Sequence, residues 1–497
     1  MTSTEAAIST TSSPTSNRST TPGSESFKSY IGGNWAEQAM ALPRPREQAA
    51  FAAARRARVS GRYPGVRLVV AAGKLKPRSN DMDYAFRAHS AFAWLTGWGS
   101  DSEPGSVLVF EPTSHGHDVV LYFHERAGRE STEFYSNPAI GEFWIGQRPS
   151  LAQVAADLGI ETRGIAELDT VLERASVDGA SAGYQMLTLI EADPALTIKL
   201  GARHPDALEH DAQFARDLSE LRLIKDSYEV EQLRAAIAAT RLGFADVLAD
   251  MPRIRSHARG ERIIEGVFNC RARAEGNTTG YNTIAAAGAH ACVLHWTRND
   301  GPVADGDLVL LDAGVEMDSY YTADITRTFP ANGKFSPAQL KVYEAVLEAA
   351  DAALAVVRPG IRFRDIHEAA MTVIARRTAE WGLLPVCAEE ALKVENQQHR
   401  RYMIHGTSHH LGLDVHDCAQ ARREMYLEGF LEPGMVFTIE PGLYFQADDL
   451  TVPEELRGIG VRIEDNILVT AEGAENLSIL IPRNARDIEK WIGKAAT

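Results

Sequence analysis

Apolar positions follow two different periods along the chain, and where they change marks a boundary. Between about Ser29 and Glu220, strand-like runs at Val66 to Ala72, Ser106 to Phe110 and Asp118 to Phe123 alternate with Ala-rich helical stretches such as Gln48 to Ala57. That alternation predicts one α/β domain over residues 29–220. Near Leu223 the pattern breaks. Asp226 and Glu229 have the spacing of a capping box, and Val230, Leu233, Ile237 and Phe244 follow at helical intervals, so a long helix opens a second domain. Another helix start is clearer: Ser336, Pro337 and Gln339 occupy N-cap, N1 and N3 ahead of Leu340, Val342, Tyr343, Val346 and Leu347, with a stop at Pro359-Gly360. Strands are predicted at Leu308 to Asp312, Asp324 to Phe329, Val436 to Glu440 and Val461 to Leu468, with a further strand-like piece at Leu411 to His416. The second domain, residues 222–490, is therefore α+β.

The first residues fit neither pattern. Residues 1–26 contain 15 Ser or Thr and a single large aliphatic side chain, Ile8, too little apolar surface to offset the entropy of ordering. A disordered tail over residues 1–28 is the expectation. It lacks the basic start and apolar core of a secretory signal.

Composition narrows the partners. The 497 residues carry 51 Lys plus Arg against 67 Asp plus Glu, a formal charge of −16. An acidic excess repels nucleic acid and anionic membranes, so neither is an expected partner. No apolar run approaches the roughly 18 residues of a membrane span. Cys270, Cys292, Cys387 and Cys418 form no CxxC pair, which argues against a structural zinc site or a disulfide framework and favours a reducing cytoplasm. The run Arg55-Arg56-Ala57-Arg58 reads as a solvated helix face, Cys418 as a small packing residue, and Trp94 and Trp98 as core or interface anchors.

Four carboxylates change the picture. Asp312 ends an apolar strand, Asp324 begins one, Glu440 ends one and Glu464 lies within one. Carboxylates are costly to bury, so each in that setting calls for a partner. Alternation places Asp324 on a face with Thr326 and Thr328, and Glu464 on a face with Arg462 and Asn466. Singly each reads as a solvated edge residue. The repetition, Asp then Asp and Glu then Glu, points instead to an ion site. His405, His409 and His416 fall within twelve residues of one another, and His295 lies elsewhere. Four carboxylates and one imidazole balance two divalent cations, and oxygen-rich ligation favours Mn²⁺, Mg²⁺ or Co²⁺. Two such ions activate water and polarise a carbonyl, the requirements of amide hydrolysis, so a dinuclear metallohydrolase is inferred.

The strings LHWTRNDGPVADGDLVLLDAG, ADITRTFPANGKFS, HGTSHHLGLDVHD, LEPGMVFTIEPGLYF and RGIGVRIEDNILVT resemble those of the Xaa-Pro aminopeptidase (aminopeptidase P) family. Its "pita-bread" fold is shared with prolidase, methionine aminopeptidase and creatinase. The resemblance covers residues 222–485, and FRAHSAFAWLTGW at Phe86 to Trp98 looks like the amino-terminal domain of the aminopeptidase P and prolidase branch. It implies metal ligands Asp312, Asp324, His409, Glu440 and Glu464, with Asp324 and Glu464 bridging two ions. Mn²⁺ is the expected metal, with Co²⁺ or Zn²⁺ as alternatives. His295 and His416 would face the substrate carbonyl and scissile peptide, and His405 the proline subsite. Arg462 would hydrogen-bond Asp312 and Tyr444. Asp312 and Asp324 stand twelve residues apart, one more than the family pattern, which predicts a bulge or a longer hairpin over residues 315 to 322.

The implied activity is release of the first residue from peptides with proline second: a metal-bridging hydroxide attacks and Glu440 shuttles the proton. Peptides with an X-Pro start are the expected partners, along with further copies of the chain in a homodimer or homotetramer. Prolidase, an X-Pro dipeptidase, is the rival within the family. Val452 to Arg462 and Tyr402-Met403 look closer to aminopeptidase P. From a different class, a metal-free pseudoenzyme or binding scaffold is disfavoured because all five ligand positions are filled.

Overall fold

The computed structural model describes residues 21–36, 41–80, 82–173, 186–200 and 206–495. Helix α1 (Glu25–Gly32) is capped by Ser24, whose hydroxyl accepts from the Phe27 amide. Phe27 and Trp35 meet the rings of Tyr135 and Phe134 edge-on. The predicted tail is therefore too long: residues 25–28 are helical, because Phe27 and its neighbours supply the apolar contacts that the Ser/Thr run lacks. Residues 1–20 lie outside the described residues.

Five strands form the amino-terminal sheet: β1 (Arg67–Ala71), β2 (Val107–Thr113), β3 (Gly116–Phe123), β4 (Glu161–Gly164) and β5 (Met186–Thr188), in the order β4-β3-β2-β1-β5. Helices α2 (Gln48–Arg62) and α3 (Ser90–Thr96) pack together beside it. Trp94 and Trp98 are core residues. The solvated-face reading of the arginine run fails at its first two members. Arg55 and Arg56 are 2% and 7% exposed, Arg55 pairing with Asp226 and Arg56 donating to the Leu95 carbonyl.

Asp226 and Glu229 form the reciprocal capping box at the start of α4 (Ser227–Ala249). Next come α5 (Gly260–Glu275), β6 (Ile284–Ala287), β7 (Leu308–Ala313) and β8 (Ile325–Pro330). Ser336 and Gln339 cap α6 (Pro337–Val356), which packs on α7 (Phe363–Glu380). The chain then adds β9 (Val436–Ile439), β10 (Gly442–Tyr444), β11 (Gly460–Arg462), β12 (Asp465–Thr470) and β13 (Gly473–Asn476). Antiparallel sheets β8-β7-β6, β9-β12-β13 and β10-β11 join at their edges. The Glu464 amide donates to the Thr326 carbonyl at 3.1 Å, and the Thr328 hydroxyl to the Arg462 carbonyl at 2.9 Å. This curved sheet, with α4 to α7 outside it, is the pita-bread fold.

Two local expectations change. The predicted strand Val461 to Leu468 is broken at Ile463-Glu464, which leaves Glu464 between β11 and β12 with its amide on the Thr326 carbonyl. Leu411 to His416 is a series of bends rather than a strand. Gly412 has no room for a Cβ against Asp417 and Lys225, and Asp414 turns outward to Arg222. The long interval between Asp312 and Asp324 is a hairpin without a bulge. Its pairing runs in constant register from Ala313 with Ile325 to Glu316 with Thr322, and the turn is closed by Tyr320 at φ 71°. Tyr320 and Tyr321 are buried at the tip, Tyr320 accepting from the Ala88 amide of the amino-terminal domain and Tyr321 donating to Glu229.

Candidate active site

Asp312, Asp324, Glu440, Glu464, His295, His405, His409, His416 and Arg462 all line one cavity of about 630 Å³. Strand geometry explains the convergence. Asp312 lies on β7 and Asp324 immediately precedes β8, so the antiparallel pairing of these strands brings them to the same end. Asn466 of β12 clamps the Asp324 backbone, its side-chain oxygen accepting from the amide and its nitrogen donating to the carbonyl. Glu464 sits in the gap between β11 and β12 and accepts from Thr326 at 2.8 Å. The other side is set by the segment carrying His405 and His409, which runs beside β9: Thr438 N donates to the His409 carbonyl and Glu440 N to the Thr407 carbonyl.

Three of the five predicted ligands, Asp324, His409 and Glu464, offer donor atoms within 4.8 Å of one another. Glu440 stands 3.7 Å from His409. Asp312 already holds two partners, accepting from the Tyr281 hydroxyl at 2.7 Å and from the Arg462 guanidinium.

The protonation pattern tests what this cluster can hold. His409 Nδ1 faces the His410 carbonyl at 3.1 Å, which only accepts, so Nδ1 carries the hydrogen. Nε2 then faces Asp324 Oδ2, 3.2 Å away. A positive centre belongs between those atoms, and this orientation is usual for a metal-binding imidazole. Burial first, then Asp312, pushes Asp324 well above the carboxylate range; burial and Glu464 do the same to Glu440; burial and Asp324 do the same to Glu464. Arg462 stays protonated against the cost of its burial through Tyr444, Asp312 and Glu464. One guanidinium among four carboxylates leaves the set short of positive charge, and hard divalent cations fit it.

A second chain of contacts continues from Arg462. It donates to the Tyr444 hydroxyl at 3.1 Å, and that hydroxyl contacts His405 Nε2 at 2.8 Å. His405 Nδ1 donates to the Gly406 carbonyl, so Nε2 accepts from Tyr444. Burial and Arg462 lower the His405 pKa to about 3, and burial with His409 and His295 lowers that of His416. Both rings are therefore neutral donors or acceptors at neutral pH. Ile284, Leu294 and Val415 supply apolar wall.

Tyr281 was not singled out from the sequence. A tyrosine before a short apolar strand reads as packing, and nothing local shows its reach to Asp312. His367, on α7, was missed for the same reason; it contacts Thr407 Oγ1 at 2.8 Å behind the histidine segment.

A curved antiparallel sheet that directs three buried carboxylates and an imidazole into one cavity is the arrangement of a metallopeptidase. The model of metallopeptidase family M24 matches residues 231–471, and that of the aminopeptidase P N-terminal domain matches residues 52–181. Xaa-Pro aminopeptidase 1 of Streptomyces coelicolor is 50% identical over 474 residues, covering 94% of this chain and 92% of its own. Xaa-Pro aminopeptidase of Escherichia coli is 33% identical over 88% of this chain and 96% of its own. Among solved structures, the Pseudomonas aeruginosa aminopeptidase PepP superposes with a TM-score of 0.77 at 31% identity, covering 92% of this chain and 99% of that one. A zinc-substituted E. coli aminopeptidase P in complex with product gives 0.75 at 30% identity, covering 90% and 99%. The chain belongs to the aminopeptidase P family of M24 metallopeptidases.

Proposed function

We propose that this protein releases the first residue from peptides whose second residue is proline, using two divalent metal ions. The observation that carries the reading is the meeting of Asp324, His409 and Glu464 in a chain that matches Xaa-Pro aminopeptidases across both domains. Asp312, Asp324, His409, Glu440 and Glu464 would hold the ions. When bound, the ions supply an activated water and polarise the carbonyl before proline.

The chain's own groups do the rest. Glu440, at the cavity wall 3.7 Å from His409, is placed to take a proton from the attacking water and pass it to the proline nitrogen as that bond breaks. His295 and His416 would donate to the carbonyl oxygen as it gains charge. His405, fixed by Tyr444 and Gly406, would bound the proline ring. Arg462 holds Asp312 and Tyr444 in place and so acts through them.

Mn²⁺ is the proposed metal, given the oxygen-rich donor set, with Co²⁺ or Zn²⁺ as substitutes. The free cysteines, two of them exposed, favour a cytoplasmic site. No described helix is long and apolar enough to cross a membrane. An oligomer is supported by the consecutive exposed side chains Phe143, Trp144 and Ile145 on the amino-terminal domain. We assign residues 25–220 and 222–490 to the two domains, counting α1 in the first because Phe27 packs on Tyr135.

A panel of X-Pro, X-Pro-Y and X-Ala-Y peptides with Mn²⁺, Co²⁺ and Zn²⁺ tests the activity. Release of the first residue from X-Pro-Y, with X-Ala-Y intact, supports it. Cleavage of X-Pro alone would identify a dipeptidase instead.

A further inference from the structure

His295 stands on a loop, residues 288 to 301, that leaves β6 and returns toward β7. It has no strand to hold it, and its ring is exposed at the cavity wall. One residue gathers that loop from behind. Glu261, on the first turn of α5, is fully buried and accepts four hydrogen bonds. Its Oε1 takes the Ala287 amide at 2.8 Å and His290 Nδ1 at 2.7 Å. Its Oε2 takes Trp296 Nε1 at 2.8 Å and the Gly301 amide at 2.7 Å. A carboxylate has about four acceptor positions, and all are in use.

Those partners are the entry to the loop, its exit and two points within it, one of them the immediate neighbour of His295. The ring of His290 stacks on that of Trp296 with centroids 3.9 Å apart, so the two interior donors form one unit over Glu261. The Glu261 amide closes the clasp by donating to the Gly301 carbonyl at 3.1 Å. Space there is tight, since a Cβ on Gly301 would meet both His290 and Glu261 at under 3 Å.

We infer that Glu261 is a positioning residue for His295: it fixes the loop so that the imidazole meets the substrate carbonyl. This rests on the proposed role of His295 in the peptidase reaction. The residue never touches substrate. Its effect is geometric, and a misplacement of about 1 Å at a reacting group can cost about a hundredfold in rate.

Glu261→Gln is the informative change, because the amide nitrogen must face donors on one side of the pair and push that part of the loop away. The experiment is a double-mutant cycle on the metal-loaded enzyme with an X-Pro-Y peptide, using E261Q, H295A and the double variant. Expected are a fall in kcat of about tenfold or more for E261Q with KM changed less, and less than about a twofold further fall when it is added to H295A. A merely structural role would give the same loss in both backgrounds, and that result overturns the proposal while leaving His295 intact as a catalytic group. Full activity in H295A overturns the reading of His295 itself, and this inference with it. Should E261Q not fold, Trp296→Phe removes a single donor and keeps an aromatic ring beside His290. Its kcat should fall in the parent and not in H295A, and a fall in both again overturns the proposal.

Discussion

The Tyr444 hydroxyl donates to His405 Nε2 at 2.8 Å while accepting from Arg462, and Arg462 in turn holds Asp312. One guanidinium thus sets both a proposed metal ligand and the ring at the proline subsite. Tyr444→Phe keeps the packing and removes the hydroxyl that donates to His405 and accepts from Arg462. We expect kcat/KM for X-Pro-Y peptides to fall about tenfold, the worth of one hydrogen bond of about 1.4 kcal/mol, with metal content unchanged. Elemental analysis beside the kinetics checks this. Loss of metal in Y444F would show that the tyrosine supports Asp312 rather than His405.

Metal dependence is the next expectation. Asp324, Glu440 and Glu464 are raised by burial and by neighbouring carboxylates, Asp312 among them, so removing the ions leaves the cluster without compensating charge. Chelation should abolish peptide cleavage and lower Tm, and Mn²⁺ should restore both. Elemental analysis should find about two ions per chain in the parent. Fewer than about one, together with unchanged activity after chelation, would sink the dinuclear reading.

Glu440→Gln separates proton transfer from ion binding. The amide keeps the shape of the side chain and cannot carry a proton. A fall in kcat of about 10² to 10⁴ with at least one ion retained is expected, the usual range for a general base. Full kcat with metal present would refute the shuttle.

What could be read from the chain follows the range of the interactions involved. The helix starts at Asp226 and Ser336 were legible because a capping box is closed by residues three apart. The five proposed ligand positions, which the structure gathers in one cavity, stood out because charge at the end of an apolar strand is conspicuous and the family strings carry them in order. The break at Ile463-Glu464 was hidden, since Val461 to Leu468 contains no Gly or Pro to mark it. Arg55 looked solvated for want of its partner Asp226, which lies 171 residues away. Tyr281 and Glu261 were missed alike, because a single polar residue on an otherwise ordinary element gives no local sign of what it will meet.

Asp417 gives a prediction about pH. It is fully buried beside His416, accepts from Arg222 and, at 2.8 Å, from Lys225, and so ties the end of the histidine segment to the segment entering α4. Burial alone would raise its pKa, but Arg222 and Lys225 prevail and hold it well below the ordinary carboxylate range. The sign follows: a carboxyl depressed in the folded state stabilises the protein above its unfolded pKa of about 3.9, and that stability is lost as pH falls below it. Asp417→Asn should therefore cost stability fully between pH 5 and 7, by about 3 to 5 kcal/mol, since it leaves two buried cations with only Asp414 beside Arg222. Below about pH 4 the gap between variant and parent should narrow. Adding Lys225→Met to the variant should recover part of the loss, because an apolar side chain of similar length replaces the stranded ammonium. Thermal or denaturant unfolding across that pH range checks both, and a gap that stays constant down to pH 3 would show that the Asp417 charge contributes nothing.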